Sequence, residues 1–81
     1  MMKARITITL KAGVLDPQGK AIEGALDALD FSGINKVRQG KIIDIDIDAA
    51  SETEATSALT EMCEKLLANT VIENYAIDIR D

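Results

Sequence analysis

Two hydrophobic periods alternate along the chain, and their order implies the fold. Residues 4–10 put Ala4, Ile6, Ile8 and Leu10 on one side and Arg5, Thr7, Thr9 and Lys11 on the other. A period of two with β-branched residues predicts a half-buried strand. Asp16 followed by Pro17 marks a helix start. Aspartate caps the first orphan amides, and proline fits the first helical position because its missing N–H would go unsatisfied there anyway. Ile22, Ala25, Leu26 and Leu29 follow at i, i+3, i+4 and i+7, predicting a helix that ends near Phe31 with Gly33 as the stop. Residues 34–38 fit a short strand and Gln39-Gly40 a turn. Residues 42–48 read Ile-Ile-Asp-Ile-Asp-Ile-Asp, the clearest strand in the chain, with Ile43, Ile45 and Ile47 toward a core and Asp44, Asp46 and Asp48 away from it.

Ser51 and Glu54 have the spacing of a capping box. Behind them Ala55, Ala58, Leu59, Met62, Cys63 and Leu66 form a helical apolar stripe that Asn69 can stop. The last segment alternates again, with Tyr75, Ile77 and Ile79 on one side. The order β-α-β-β-α-β predicts an α+β, ferredoxin-like sandwich over residues 1–81: one domain, a four-stranded antiparallel sheet and two helices on one face. The open face would carry Arg5, Thr7, Thr9, Ile42, Asp44 and Ile72, a mixed surface suited to packing against a second copy.

Composition narrows what such a domain can do. With 81 residues it buries only about 60% of its unfolded surface, and chains this small usually gain stability from disulfides, a metal or self-association. Cys63 is the only cysteine and there is no histidine, so neither an internal disulfide nor a zinc cluster is available. Self-association remains, and a homodimer or higher oligomer is the expectation. A net charge of −5 and two aromatics, Phe31 and Tyr75, oppose nucleic-acid binding, which needs basic clusters and stacking platforms. No stretch has the apolar length of a signal peptide or a membrane span. Together with a lone thiol this predicts a cytoplasmic protein that binds no membrane.

Candidate chemistry is sparse. Residues 13–21 sit between a strand and a helix, as a phosphate-binding loop does. Five residues separate Gly13 from Gly19 where that loop has four, and Ala21 stands where it needs a hydroxyl. Pro17 removes a donor and Asp16 adds a negative charge, so the segment reads as a capped turn. Asp44, Asp46 and Asp48 lie along a straight strand about 6.6–7 Å apart, which does not converge them on a cation. Cys63 falls on an apolar stripe with no histidine to activate it. General acid–base catalysis at neutral pH also lacks its usual residue. The cations near the turns, Lys11, Lys20, Lys36, Arg38 and Lys41, are left as the one group that folding does not explain.

The segments Leu10-Lys11-Ala12-Gly13-Val14-Leu15-Asp16-Pro17-Gln18-Gly19, Ala21-Ile22, Val37-Arg38-Gln39-Gly40-Lys41 and Leu66-Leu67-Ala68-Asn69-Thr70-Val71-Ile72-Glu73-Asn74-Tyr75 closely resemble the PurS family. The resemblance runs over nearly the whole chain in the right order. The family often has proline at Thr70, an acidic residue at Asn74 and glycine near Asp30, all element boundaries. The resemblance implies the small subunit of phosphoribosylformylglycinamidine synthase. That complex converts formylglycinamide ribonucleotide, glutamine and ATP to formylglycinamidine ribonucleotide, glutamate, ADP and phosphate. It further implies a chain that dimerises and binds no cofactor itself. ATP and magnesium would be used by the large synthetase subunit, and ammonia would come from a separate glutaminase subunit. The small subunit would bridge the two and shelter ammonia transfer. Lys11, Asp16, Pro17, Gln18, Gly19, Arg38, Gly40 and Lys41 are the expected partner-interface residues. Fold alone also admits a dimeric regulatory module that binds a small molecule.

Overall fold

The computed structural model describes residues 1–80 and orders them β1 (Met2–Leu10), α1 (Pro17–Ala28), β2 (Gly40–Ile47), α2 (Glu52–Met62) and β3 (Glu73–Arg80). A π-helical turn, Cys63–Leu67, prolongs α2. The sheet has three antiparallel strands in the order β2-β1-β3. Its cross-strand rows are Ile45-Ala4-Ile79, Ile43-Ile6-Ile77 and Lys41-Ile8-Tyr75. The alternation read from the sequence is therefore the alternation observed: Ile6, Ile8, Ile43, Ile45, Ile47, Ile77 and Ile79 share one face, and Ile42, beside Thr7, lies on the other. Ala4, Ile6 and Ile8 on the central strand are buried against Ala55, Leu59 and Cys63 of the helix, with Ala68 closing one end. The outer edges of β2 and β3 pair with no strand among the described residues.

The second helix starts and stops as its residues dictate. Ser51 Oγ accepts from the Glu54 amide at 3.2 Å, and Glu54 Oε2 accepts from the Ala50 amide at 3.2 Å, a reciprocal cap displaced by one residue from the usual pairing. At the other end the Ala68 amide donates to the Cys63 carbonyl at 3.0 Å. Asn69 then accepts from the Val71 amide through its side chain and from the Ile72 and Glu73 amides through its carbonyl. That local network ends the helix and launches β3. Tyr75 Oη donates to Glu64 Oε2 at 2.7 Å, fixing the side of α2 that overlies β3.

Two expectations are corrected. The sheet has three strands, not four: residues 34–38 form none. The Val37 amide donates to Glu23 Oε2 at 3.1 Å and the adjoining Gln39 amide to Asp16 Oδ2 at 2.6 Å, which draws the segment toward α1 and away from β2. Nor do both helices cover one sheet face. α1 ends at Ala28, followed by Asp30 and Gly33 at φ +66° and +83°. It projects beyond the sheet, with residues 31–39 returning beside it as the second limb of an arm. β1 contributes about 30 Å of strand and α1 about 18 Å of helix, and end to end they account for a longest dimension of 51 Å. The radius of gyration is 16.2 Å, against about 12 Å for a compact chain of this length.

Leu59 has no exposed surface and sits at the centre of the only buried apolar cluster among the described residues. Leu59→Ala is expected to cost about 2–5 kcal/mol, read as a lower urea midpoint with an unchanged slope.

Candidate functional site

All eight residues singled out from the sequence lie in two segments, 11–19 and 38–41, and the fold brings these together at the base of the arm. Asp16 joins them. It is 5% exposed, and both of its carboxylate oxygens are used. Oδ1 accepts from the Gly19 amide at 2.9 Å as the helix cap, and Oδ2 accepts from the Gln39 amide at the entry to β2. The Gln39 and Gly19 amides hold this carboxyl below its ordinary range, against the opposing effect of burial. Pro17 occupies the first turn of α1.

Arg38 closes the same junction from the other side. Its Nη1 donates to the Val14 carbonyl at 2.8 Å and its Nη2 to the Lys11 carbonyl at 3.2 Å, so the planar guanidinium spans the loop as a fork. Gln39 Nε2 donates to Gln18 Oε1. Two glycines stand where backbones meet. A Cβ on Gly19 would lie 2.5 Å from the Val37 carbonyl oxygen, and one on Gly40 would lie 2.7 Å from the Ile8 carbonyl oxygen. Lys41 pairs in register with Ile8 and is exposed. Lys11 ties the far side of the loop to the approach to β3 through its amide, which donates to the Ile72 carbonyl at 2.8 Å.

These residues border an open depression of about 280 Å³ whose rim includes Pro17, Gln18, Gln39, Lys41 and Glu73. Gln39 and Glu73 were not singled out, although both lie inside the segments that carry the family resemblance. Nothing in their residue types marked them, because a glutamine in a turn and a glutamate at a strand start have no distinctive chemistry. Glu73 is itself committed, accepting from the Asn69 amide at 2.6 Å.

The arrangement supplies shape and hydrogen bonds rather than a reacting group. Both oxygens of Asp16 are committed to backbone amides. Among the described residues no three or more acidic or cysteine side chains gather into a metal-holding group. Cys63 is buried, and burial pushes its thiol up. Asp44 takes a two-pronged contact from Arg5, at 2.9 and 3.3 Å, which holds its carboxyl below the usual range and raises the guanidinium. Among the described residues no helix is long and apolar enough to cross a membrane.

A small α+β chain that invests its ionisable groups in holding turns, and that extends an arm past its own sheet, is a subunit built for association. The comparisons with known proteins agree. The PurS family model, described as phosphoribosylformylglycinamidine (FGAM) synthase, matches residues 3–81. The phosphoribosylformylglycinamidine synthase subunit PurS of Archaeoglobus fulgidus is 49% identical over 80 residues, covering 99% of this chain and 100% of that one. The crystal structure of Methanocaldococcus jannaschii PurS superposes with a TM-score of 0.91 at 42% identity, covering 100% and 98% of the two chains. The PurLQS structure from Thermotoga maritima contains a chain that superposes at 0.89 with 30% identity, covering 98% and 96%. This chain belongs to the PurS family, the subunits of phosphoribosylformylglycinamidine synthase of purine biosynthesis. The high superposition over whole chains means that the projecting arm is shared with those structures.

Two substitutions separate the charge of the junction from its shape. The folded pKa of Asp16 is depressed, so its contribution is present above the ordinary value of 3.8 and is lost as pH falls through the folded pKa. Asp16→Asn keeps a capping oxygen and is expected to melt lower than wild type at about pH 5–7, with the gap closing at pH values below 3.8. Gly19→Ala forces its methyl into the Val37 carbonyl and is expected to lose amide protection at residue 19 and at Gln39 while the Leu59 region stays protected. Hydrogen exchange resolves both sites.

Proposed function

We propose that this chain is a non-catalytic assembly subunit that acts in the cytoplasm as a homodimer. On this reading it bridges the large synthetase subunit and the glutaminase subunit and shelters the ammonia that passes between them. Formylglycinamide ribonucleotide and ATP with magnesium would be bound by the large subunit, and no cofactor by this chain. The observation that carries the reading is the junction at the base of the arm. Two chain segments, 11–19 and 38–41, are locked there by Asp16 and Arg38 into a rim whose ionisable groups are spent on holding it. A rim of that kind suits recognition by a partner more than turnover. Lys11, Asp16, Pro17, Gln18, Gly19, Arg38, Gly40 and Lys41 are the proposed contact set. Lys11 and Asp16 lie on the loop into α1, Pro17, Gln18 and Gly19 in its first turn, and Arg38, Gly40 and Lys41 at the start of β2. The Thermotoga maritima PurLQS structure contains a chain of this fold, which supports a role inside such a complex.

The test is glutamine-dependent amidine synthesis by the synthetase and glutaminase subunits, with and without this chain. Activity that appears only on its addition is the expected result, and full activity without it overturns the proposal. Gln18→Ala combined with Lys41→Glu alters the rim without removing a bond to backbone. It is expected to weaken assembly about tenfold or more, equivalent to about 1.4 kcal/mol per factor of ten, in a titration of the chain against activity. An unchanged half-saturation would remove the rim from the interface.

A further inference from the structure

The two edges of the sheet differ in which residues carry their free backbone groups. The Lys11 amide donates to the Ile72 carbonyl at 2.8 Å, one pair beyond Leu10–Glu73 in the β1–β3 register. Bonded and non-bonded pairs alternate along an antiparallel ladder. Thr9–Asn74, Thr7–Ala76 and Arg5–Asp78 are therefore bonded pairs, and Tyr75, Ile77 and Ile79 turn their N–H and C=O groups outward. The Glu73 amide, in the same outward phase, is already given to the Asn69 carbonyl at 2.7 Å.

The same alternation turns the backbone of Ala4, Ile6 and Ile8 toward β2, opposite Ile45, Ile43 and Lys41. The outward groups of β2 then belong to Ile42, Asp44 and Asp46, two of which carry a carboxylate. The outward positions Tyr75, Ile77 and Ile79 carry no charge. Between them Asn74 and Ala76 are neutral, and Asp78 is paired with Arg80 at 2.9 Å.

The β3 edge also ends an apolar layer. The rows Ile43-Ile6-Ile77 and Ile45-Ala4-Ile79 stop there. Tyr75, Ile77 and Ile79 are only partly buried, although the Glu64–Tyr75 bond ties α2 to this strand. A fourth strand beside β3 would take up the free donors and acceptors and set alternate side chains against these residues. The described residues supply no such strand.

The chemistry of an occupant follows. From Tyr75 to Ile79 the edge is about 14 Å long, the length of an extended segment of about five residues. Side chains on its α2 side must be apolar to meet Ile77 and Ile79, and those on its other side uncharged to lie beside Asn74 and Ala76. Edge and rim are continuous, because Glu73 begins β3 and borders the depression at the base of the arm. One partner can therefore hold both. A second copy would set its own β3 antiparallel about a two-fold axis, which sends the two rims to opposite ends of the pair.

We infer that the edge of β3 receives an extended segment of a partner subunit of the synthase, added as a fourth strand through the backbone of Tyr75, Ile77 and Ile79. The inference rests on the assembly role proposed above and deepens it by naming a second surface and the form of partner that fits it.

Hydrogen exchange read residue by residue tests it, on this chain alone and on the chain assembled with the synthetase and glutaminase subunits. The Asn74 and Ala76 amides, bonded to β1, are expected to exchange slowly in both. The Tyr75, Ile77 and Ile79 amides are expected to exchange quickly in the chain alone and about tenfold or more slowly in the complex. Unchanged rates at these residues in a complex that forms would overturn the inference and leave the assembly role standing. Failure of the complex to form would overturn both. Slow exchange in the chain alone, increasing with its concentration, would give the edge to a second copy and overturn the inference too. A second measurement combines Asn74→Lys with Ala76→Lys, because charge beside an edge opposes strand addition. Both side chains are exposed, so circular dichroism is expected to match wild type. The half-saturating concentration in the activity titration is expected to rise about tenfold or more, and an unchanged value counts against the edge.

Discussion

One carboxylate determines the shape of this molecule. Asp16 accepts from an amide at the start of α1 and from another at the start of β2, and it is buried where it does so. Those two bonds set where the arm leaves the sheet and where it comes back. Arg38 reinforces the same crossing from the opposite strand of the loop, and Gly19 and Gly40 leave room for the backbones to meet. Everything beyond this junction, including the exposure of Ile22 and Leu29, follows from the angle at which α1 is held.

The strands were legible because their signal is local. Each of β1, β2 and β3 alternates strictly, and burial on one face enforces that register. The caps of both helices were legible for the same reason: Asp16-Pro17 and Ser51/Glu54 act within one turn. The layer arrangement was not. Ile22, Ala25, Leu26 and Leu29 have the spacing of a core-facing helix whichever core they face, and the pattern carries no information on whether that core belongs to the same copy. Residues 34–38 failed for a different reason. Ile34 and Val37 suit a strand, but a carboxylate far away in sequence, Glu23, took the Val37 amide that a hairpin needed.

The candidate site divides along similar lines. Its members were found because they cluster in two short segments that resemble one family. Their physical roles became visible only in three dimensions. Asp16, read as a cap, is also a tertiary acceptor. Arg38, read as a free cation, is committed to two carbonyls. Lys41 alone of the two basic residues in that segment keeps its charge uncommitted to the loop.

Among the described residues neither β2 nor β3 has a neighbour on its outer side, so the sheet presents two open edges, a geometry that invites unlimited strand addition. The outward ladder of Asp44, Asp46 and Asp48 works against it: a second β2 laid alongside in register would bring like charges opposite one another. The carboxylates along β2 therefore oppose growth at that edge. They leave a chain with exposed edges and an exposed Ile42 less prone to unlimited strand addition.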